Sequence, residues 1–136
     1  MIAESAEMGG LSGGRETERL TSLDRIRRRA EFQRVFRGGL RLPGRLCTLV
    51  ILENSRRFSR VGVVATRRLG GAVHRNRVKR LVREVFRRNR PLCGLDIVVI
   101  ARPGLVDAAY ASLESDYRSV LRRFNRRKPA PSPSED

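Results

Sequence analysis

Much of what catalytic and secreted proteins rely on is scarce in this sequence. Its 136 residues include no tryptophan, one histidine and two cysteines, Cys47 and Cys93. Two cysteines without CxxC spacing exclude a disulfide framework, and each reads as a small buried apolar residue. No apolar run approaches the roughly 20 residues a membrane helix needs, and none resembles the apolar region of a signal peptide. The expectation is a soluble, cytoplasmic chain with no membrane partner. Acids are outnumbered, 14 against 30 cations, for a formal net charge of +16. Lysine is nearly absent as well: Lys79 and Lys128 are the only two, which leaves 28 arginines. Genomic composition alone can produce such a bias. Arginine is also the better phosphate ligand, because its planar fork donates two parallel hydrogen bonds and stacks on bases.

The same scarcity bears on catalysis. Between residues 20 and 128 stand one histidine, His74, and eight carboxylates: Asp24, Glu31, Glu53, Glu84, Asp96, Asp107, Glu114 and Asp116. They form no DxD or HxxxH-type pair and no His/Cys cluster of zinc spacing. A two-metal nuclease needs several converging carboxylates. Gly70-Gly71 lacks the GxxxxGK[ST] pattern of a nucleotide-hydrolysing loop. No catalytic residue and no protein-bound metal are therefore assigned. If the chain takes part in catalysis, another molecule supplies the chemistry.

What is present falls into one domain. Residues 1–19 are a polar, glycine-rich leader carrying Glu4, Glu7, Glu16 and Glu18, and residues 129–136 (PAPSPSED) are a Pro/Ser-rich acidic tail. Both read as disordered, and the folded domain is placed at residues 20–128. Between residues 19 and 128 stand 29 cations and 8 acids, so this part carries +21. Helical spacing of Phe32, Val35 and Phe36 predicts a helix over residues 28–37, stopped by Gly38-Gly39. A short extended piece at 40–42 and strands at 46–52, 61–66 and 96–101 follow from β-branched runs bounded by turn residues. A last helix is predicted over residues 106–123, with Tyr110, Leu113, Tyr117, Val120, Leu121 and Phe124 near one face.

Residues 72–90 (AVHRNRVKRLVREVFRRNR) carry the strongest signal. Val78, Leu81, Val82, Val85 and Phe86 recur at the spacing of a core-facing helical stripe. Asn76, Arg80, Arg83 and Arg87 fall nearly opposite, with Lys79 and Arg90 on one flank and Arg77 and Arg88 on the other. Residues 75–90 hold eight cations and one carboxylate, Glu84. Like charges at i, i+4 cost a helix a few tenths of a kcal/mol per pair, a cost that a bound polyanion would relieve. His74, at the start of this helix, suits either a phosphate contact or a capping role.

The run ATRRLGGAVHRNRVKRLVREVF (residues 65–86) closely resembles the signature of the bacterial ribonuclease P protein component, an Arg-Asn-Arg followed by x-Lys-Arg. Here the motif is Arg75-Asn76-Arg77 with Lys79-Arg80. Flanking segments match in order: RRAEFQRVFRG (28–38), the strand at 60–66, LDIVVIARP (95–103) and the terminal helix. The resemblance implies an α/β (α+β) two-layer fold of order αβββαβα, with a central mixed sheet and a left-handed βαβ crossover, against the usual right-handed rule. It also implies a ribonucleoprotein in which one protein and one ribonuclease P RNA remove the 5′ leader of precursor tRNA. The RNA and its Mg2+ would perform the hydrolysis.

By position, the resemblance assigns RNA binding to Arg67, Arg68, Arg75, Asn76, Arg77, Lys79, Arg80 and Arg83, and the outward helical face adds Arg87. It assigns the leader-binding cleft to Phe32 and Phe36, where stacking on bases and ordinary core packing both fit. The family often has an aromatic on the strand matching residues 47–50, which this chain lacks. Gly71 stands where many members have Asn. The rival reading from charge and fold class alone is a structural RNA-binding protein such as a ribosomal component. A protein-only nuclease is disfavoured by the carboxylate poverty.

Overall fold

Four runs of β-branched and aliphatic residues pair into one mixed sheet, seen in a computed structural model that describes residues 24–91 and 94–127. The strands are β1 (Leu40–Pro43), β2 (Cys47–Glu53), β3 (Arg60–Val64) and β4 (Leu95–Ala101), in spatial order β1-β2-β4-β3. β1 and β4 run antiparallel to β2, while β3 runs parallel to β4. The helices are α1 (Arg29–Gly38), α2 (Ala72–Arg88) and α3 (Tyr110–Arg127). The order is thus αβββαβα and the fold mixed α+β, as expected. The leader at 1–19, the tail at 129–136 and Cys93 lie outside the described residues.

Side-chain alternation splits the sheet into two working faces. Cys47, Leu49 and Ile51 on β2, with Ile97 and Val99 on β4 and Val61 on β3, join the buried stripes of α2 and α3 in the larger core. The α2 contribution is Val78, Val82, Val85 and Phe86, and that of α3 is Leu113, Tyr117, Val120 and Phe124. The opposite face carries Val50 and Val98, which pack with Ile26 and Val35 beneath α1. Each such burial contributes roughly 1.5–3 kcal/mol. Gly62 on β3 leaves room for the Phe32 ring of α1, since a Cβ there would stand 2.7 Å from it.

Two boundaries differ from those read in the sequence. The last helix begins at Tyr110 rather than at residue 106, because Pro103–Asp107 forms a 3-10 turn anchored by buried Leu105. The Arg77 guanidinium donates to the carbonyls of Val106 (2.6 Å) and Ala108 (3.2 Å), which takes those acceptors away from a continuous helix. Similarly, β3 stops at Val64 because Thr66 turns the chain, its hydroxyl accepting from the Arg68 amide at 3.3 Å.

Candidate nucleic-acid interface

The 3-10 turn Arg67–Leu69 leads into α2, with Leu69 buried and Arg67 and Arg68 exposed. Gly70 sits at φ +115°, a conformation L side chains rarely adopt, and this sharp turn sets the direction of the helix. With the apolar stripe of α2 on the sheet, the opposite face turns outward. Asn76, Lys79, Arg80, Arg83, Glu84 and Arg87 line an open groove on it, and its far wall is Arg25.

Arg25 was not singled out in the sequence. It is placed by a parallel bridge to Val61, by the Ile26 amide donating to the Val61 carbonyl (2.8 Å), and by burial of Ile26. A buried ion pair, Arg90 to Asp24 at 3.1 Å, ties the same segment to the end of α2. The Nε of Arg25 is buried without a hydrogen-bond partner among the described residues. Burial, and then the charge of Arg25, push the Arg83 guanidinium below its ordinary pKa. Two cations therefore confront each other across the groove. A phosphate between them would relieve the repulsion. The sequence signal for Arg25 is faint: a single apolar residue, Ile26, inside a run of arginines.

The remaining motif residues divide by task. Arg80 and Asn76 are exposed, and Arg75 and Lys79 half-buried. Arg77 is exposed, yet its guanidinium holds the 3-10 turn described above. Arg87 and Arg88 reach Glu84 at 2.6 and 2.8 Å. The Arg87 hydrogen bond is the main cause holding the Glu84 carboxyl below its ordinary pKa. Arg88 also stacks over the Tyr110 ring at 5.4 Å. Arg90 departs from the expected flank of exposed cations. The helix ends at Arg88, so helical spacing no longer governs Arg90, which is buried over Phe86 at 5.7 Å. His74 is exposed, lies beside Gly70 and makes no capping bond; the N-cap is Gly71.

The two candidate cleft aromatics lie on the other face of the sheet. Phe32 is half-buried in the smaller core, while Phe36 remains 39% exposed. Both stand on the flank of α1 away from Glu31 and Arg34. Beyond that flank, Val64, Ile100 and Thr48 form one row across β3, β4 and β2. Arg102 hangs over the row's end, its guanidinium 3.4 Å from the Thr48 hydroxyl. The structure thus separates a basic groove outside α2 from a trough beside α1 with one exposed ring. Arg102 escaped the sequence reading because a lone arginine after a strand carries no periodic signal.

An ion cluster fixes α1 above this trough. Buried Asp96 receives Arg60 at 2.7 Å, Arg34 at 3.3 Å and the Asn54 amide at 2.8 Å, and Arg60 also reaches Glu31 at 3.0 Å. Burial opposes the charged Glu31 carboxylate, but hydrogen bonds from Arg60 and from the amides of Arg28 and Arg27 outweigh it and hold its pKa down to about 2. Asp96 is likewise held below the ordinary range: burial opposes it, and the Arg60 and Asn54 hydrogen bonds prevail. Among the described residues, no group of three or more His, Cys, Asp or Glu could hold a metal ion, and no helix is long and apolar enough to cross a membrane.

Comparison with known proteins places these features in a family. Residues 20–125 match the sequence model of the family described as Ribonuclease P. The ribonuclease P protein component of Alkaliphilus oremlandii is 34% identical over 108 residues, covering 78% of this chain and 95% of that protein. That of Desulfotalea psychrophila is 43% identical over 91 residues, covering 65% and 76%. Among solved structures, the RNase P protein from Thermotoga maritima superposes with a TM-score of 0.66 at 35% identity, covering 73% of this chain and 96% of that one. The Staphylococcus aureus RNase P protein gives 0.64 at 30%, covering 73% and 93%. With the mixed sheet, the α2 motif and these matches in agreement, the chain belongs to the bacterial ribonuclease P protein component family, whose members are subunits of an endoribonuclease.

Proposed function

We propose that the protein binds a ribonuclease P RNA through the groove outside α2 and holds the 5′ leader of precursor tRNA in the trough beside α1. The observation that carries this reading is the confrontation of Arg25 and Arg83 in a groove also lined by Asn76, Lys79 and Arg80, whose one acid, Glu84, is already taken up by Arg87 and Arg88. Such a site is electrostatically incomplete until an anion occupies it. Arg67, Arg68 and Arg75 extend the positive surface toward the start of the helix. On the other face, Phe36 offers a ring to one unpaired base, and Arg102 and Thr48 offer donors to the backbone beside it. Base stacking of this kind contributes about 1–3 kcal/mol per base and tolerates any sequence.

The protein's part in leader removal is positional. Its cations offset the phosphate repulsion between two RNAs, and the trough favours precursor over mature tRNA because only the precursor carries a leader. Among the described residues no three His, Cys, Asp or Glu side chains converge as Mg2+ ligands. Mg2+ therefore belongs on the RNA, which supplies the hydrolytic chemistry. The assembly is one protein with one RNA, in the cytoplasm.

The test is reconstitution. Adding the protein to a bacterial ribonuclease P RNA at limiting Mg2+ is expected to stimulate cleavage of leader-bearing tRNA. Absence of stimulation overturns the proposal. The gain is expected to shrink when the leader is cut back to one nucleotide; a leader-independent gain overturns the trough assignment.

A further inference from the structure

We infer that the carboxyl-terminal half of α3 and the adjoining β1–β2 turn form a second phosphate-binding face, so that the protein grips RNA at two separated places. The inference rests on the RNA-binding reading above and adds a surface that the α2 motif does not include.

Arg122, Arg123, Arg126 and Arg127 occupy the last six residues of α3. Among the described residues none of them is within ion-pair distance of a carboxylate. Arg122/Arg126 and Arg123/Arg127 are like-charge pairs at i, i+4, each destabilising to the helix. The helix dipole favours cations in the final turn, which accounts for Arg126 and Arg127. It does not account for the pair one turn earlier, nor for exposed Arg45 on the neighbouring turn. The two elements form one surface: the Arg123 guanidinium donates to the Pro43 carbonyl, and Gly44 lies against Asp116 and Val120. Asp116, the carboxylate at this place, is already engaged. Its oxygens accept the amides of Arg45 (3.0 Å) and Leu46 (2.9 Å), and the Cys47 thiol lies 3.7 Å away. It organises the turn and leaves the five guanidinium groups with no carboxylate partner among the described residues.

The chemistry of the surface selects its partner. A protein-docking face would place aromatic or aliphatic side chains at its centre, and a membrane-surface helix would turn an apolar stripe outward. Here the apolar residues Leu113, Tyr117, Val120 and Phe124 are buried on the sheet. The outward positions are arginine, Ser115, Ser119 and Asn125, all suited to phosphate oxygens.

Position makes the second face separate from the first. α2 packs on β3, whereas α3 packs on β1 and β2. These are opposite sides of the β1-β2-β4-β3 order, and three strand spacings of about 4.8 Å put the outer strands about 14 Å apart before the helices are added. The 18 residues of α3 run about 27 Å, and its first half meets the end of α2, through Tyr110 with Arg88 and through Glu114 and Arg118 with Asn89, so the arginine-bearing half lies beyond that contact. The two faces therefore engage different stretches of RNA, and the protein acts as a clamp between them.

The test compares the triple variant R122Q/R126Q/R127Q with R80Q/R83Q, each bound to a bacterial ribonuclease P RNA over a range of KCl at fixed Mg2+. Arg123 is left in place because it ties the turn. Three phosphate contacts at about 0.7–0.9 each predict a log–log salt slope shallower by about two in the α3 variant, with at least tenfold weaker binding at low salt. R122K/R126K/R127K is expected to keep the slope, which separates charge from helix damage. Backbone footprinting is expected to show two protected stretches, one lost with each variant. Unchanged slope and affinity in the α3 variant, while R80Q/R83Q weakens binding, overturns the second face and leaves the first standing. Loss of the same protected stretch in both variants overturns the clamp. No binding by the unaltered chain overturns the reading on which the second face depends.

Discussion

Asp96 does at the residue scale what the basic surface cannot do for itself. It is fully buried and accepts from Arg60, Arg34 and Asn54, so three segments meet at one carboxylate. Asp96→Asn keeps the shape but leaves the buried Arg60 short of a counter-charge. Removing one partner of such a pair costs about 3–5 kcal/mol, readable as a lower midpoint in urea. A loss below about 1 kcal/mol would show that the pair is solvated. The same cluster sets the acid response. Glu31 and Asp96 have folded-state pKa values below their unfolded ones, so the unfolded chain takes up protons first as pH falls. Their contribution is complete above the ordinary carboxylate value of 4.5 and disappears toward about 2 for Glu31. Tm is therefore expected to fall through that window, with solvent screening of the partly exposed Glu31 limiting its share to about 2 kcal/mol. In Glu31→Gln the drop should be smaller; an identical acid profile would remove Glu31 from the account.

At the scale of an element, α2 holds two kinds of arginine in one motif. Arg77 points back to the carbonyls of Val106 and Ala108, and Arg80 points out to the groove. Arg77→Ala is expected to cost about 1.5–3 kcal/mol of stability, as charged hydrogen bonds to backbone do when lost. Arg80→Ala should stay within about 0.5 kcal/mol of the parent in stability while weakening RNA binding. Denaturant melts paired with RNA titration separate the two; equal effects of both changes on stability would refute the division. The amphipathic pattern of α2 was fully legible in the sequence, because a 3.6-residue period requires no knowledge of neighbours. The division of labour between Arg77 and Arg80 was not legible, since the acceptors of Arg77 lie 29 and 31 residues away.

For the whole molecule the governing quantity is a charge of +21 between residues 19 and 128. Such a surface repels itself, and salt screens that repulsion. Tm is expected to rise with ionic strength while RNA affinity falls, because the same cations that strain the free protein release counter-ions on binding RNA. Scanning calorimetry alongside RNA titration at matched salt reads both trends. A Tm that falls with added salt would mean that ion pairs such as those at Asp96 outweigh the repulsion.

By itself the sequence determined the order of helices and strands, the core-facing stripes and the family, since periodicity, turn residues and an ordered set of motifs are local properties of the chain. It also determined that the protein is a polycation poor in converging acids. Only the tertiary structure decided which arginines are available. Arg90 lies beyond the helix end and is buried against Asp24. Arg25, 58 positions from Arg83, faces it across a groove, and Phe32 and Phe36 divide between core and surface. Those outcomes depend on contacts between residues far apart in the chain. A guanidinium becomes a phosphate ligand or an internal strut according to what folding sets before it.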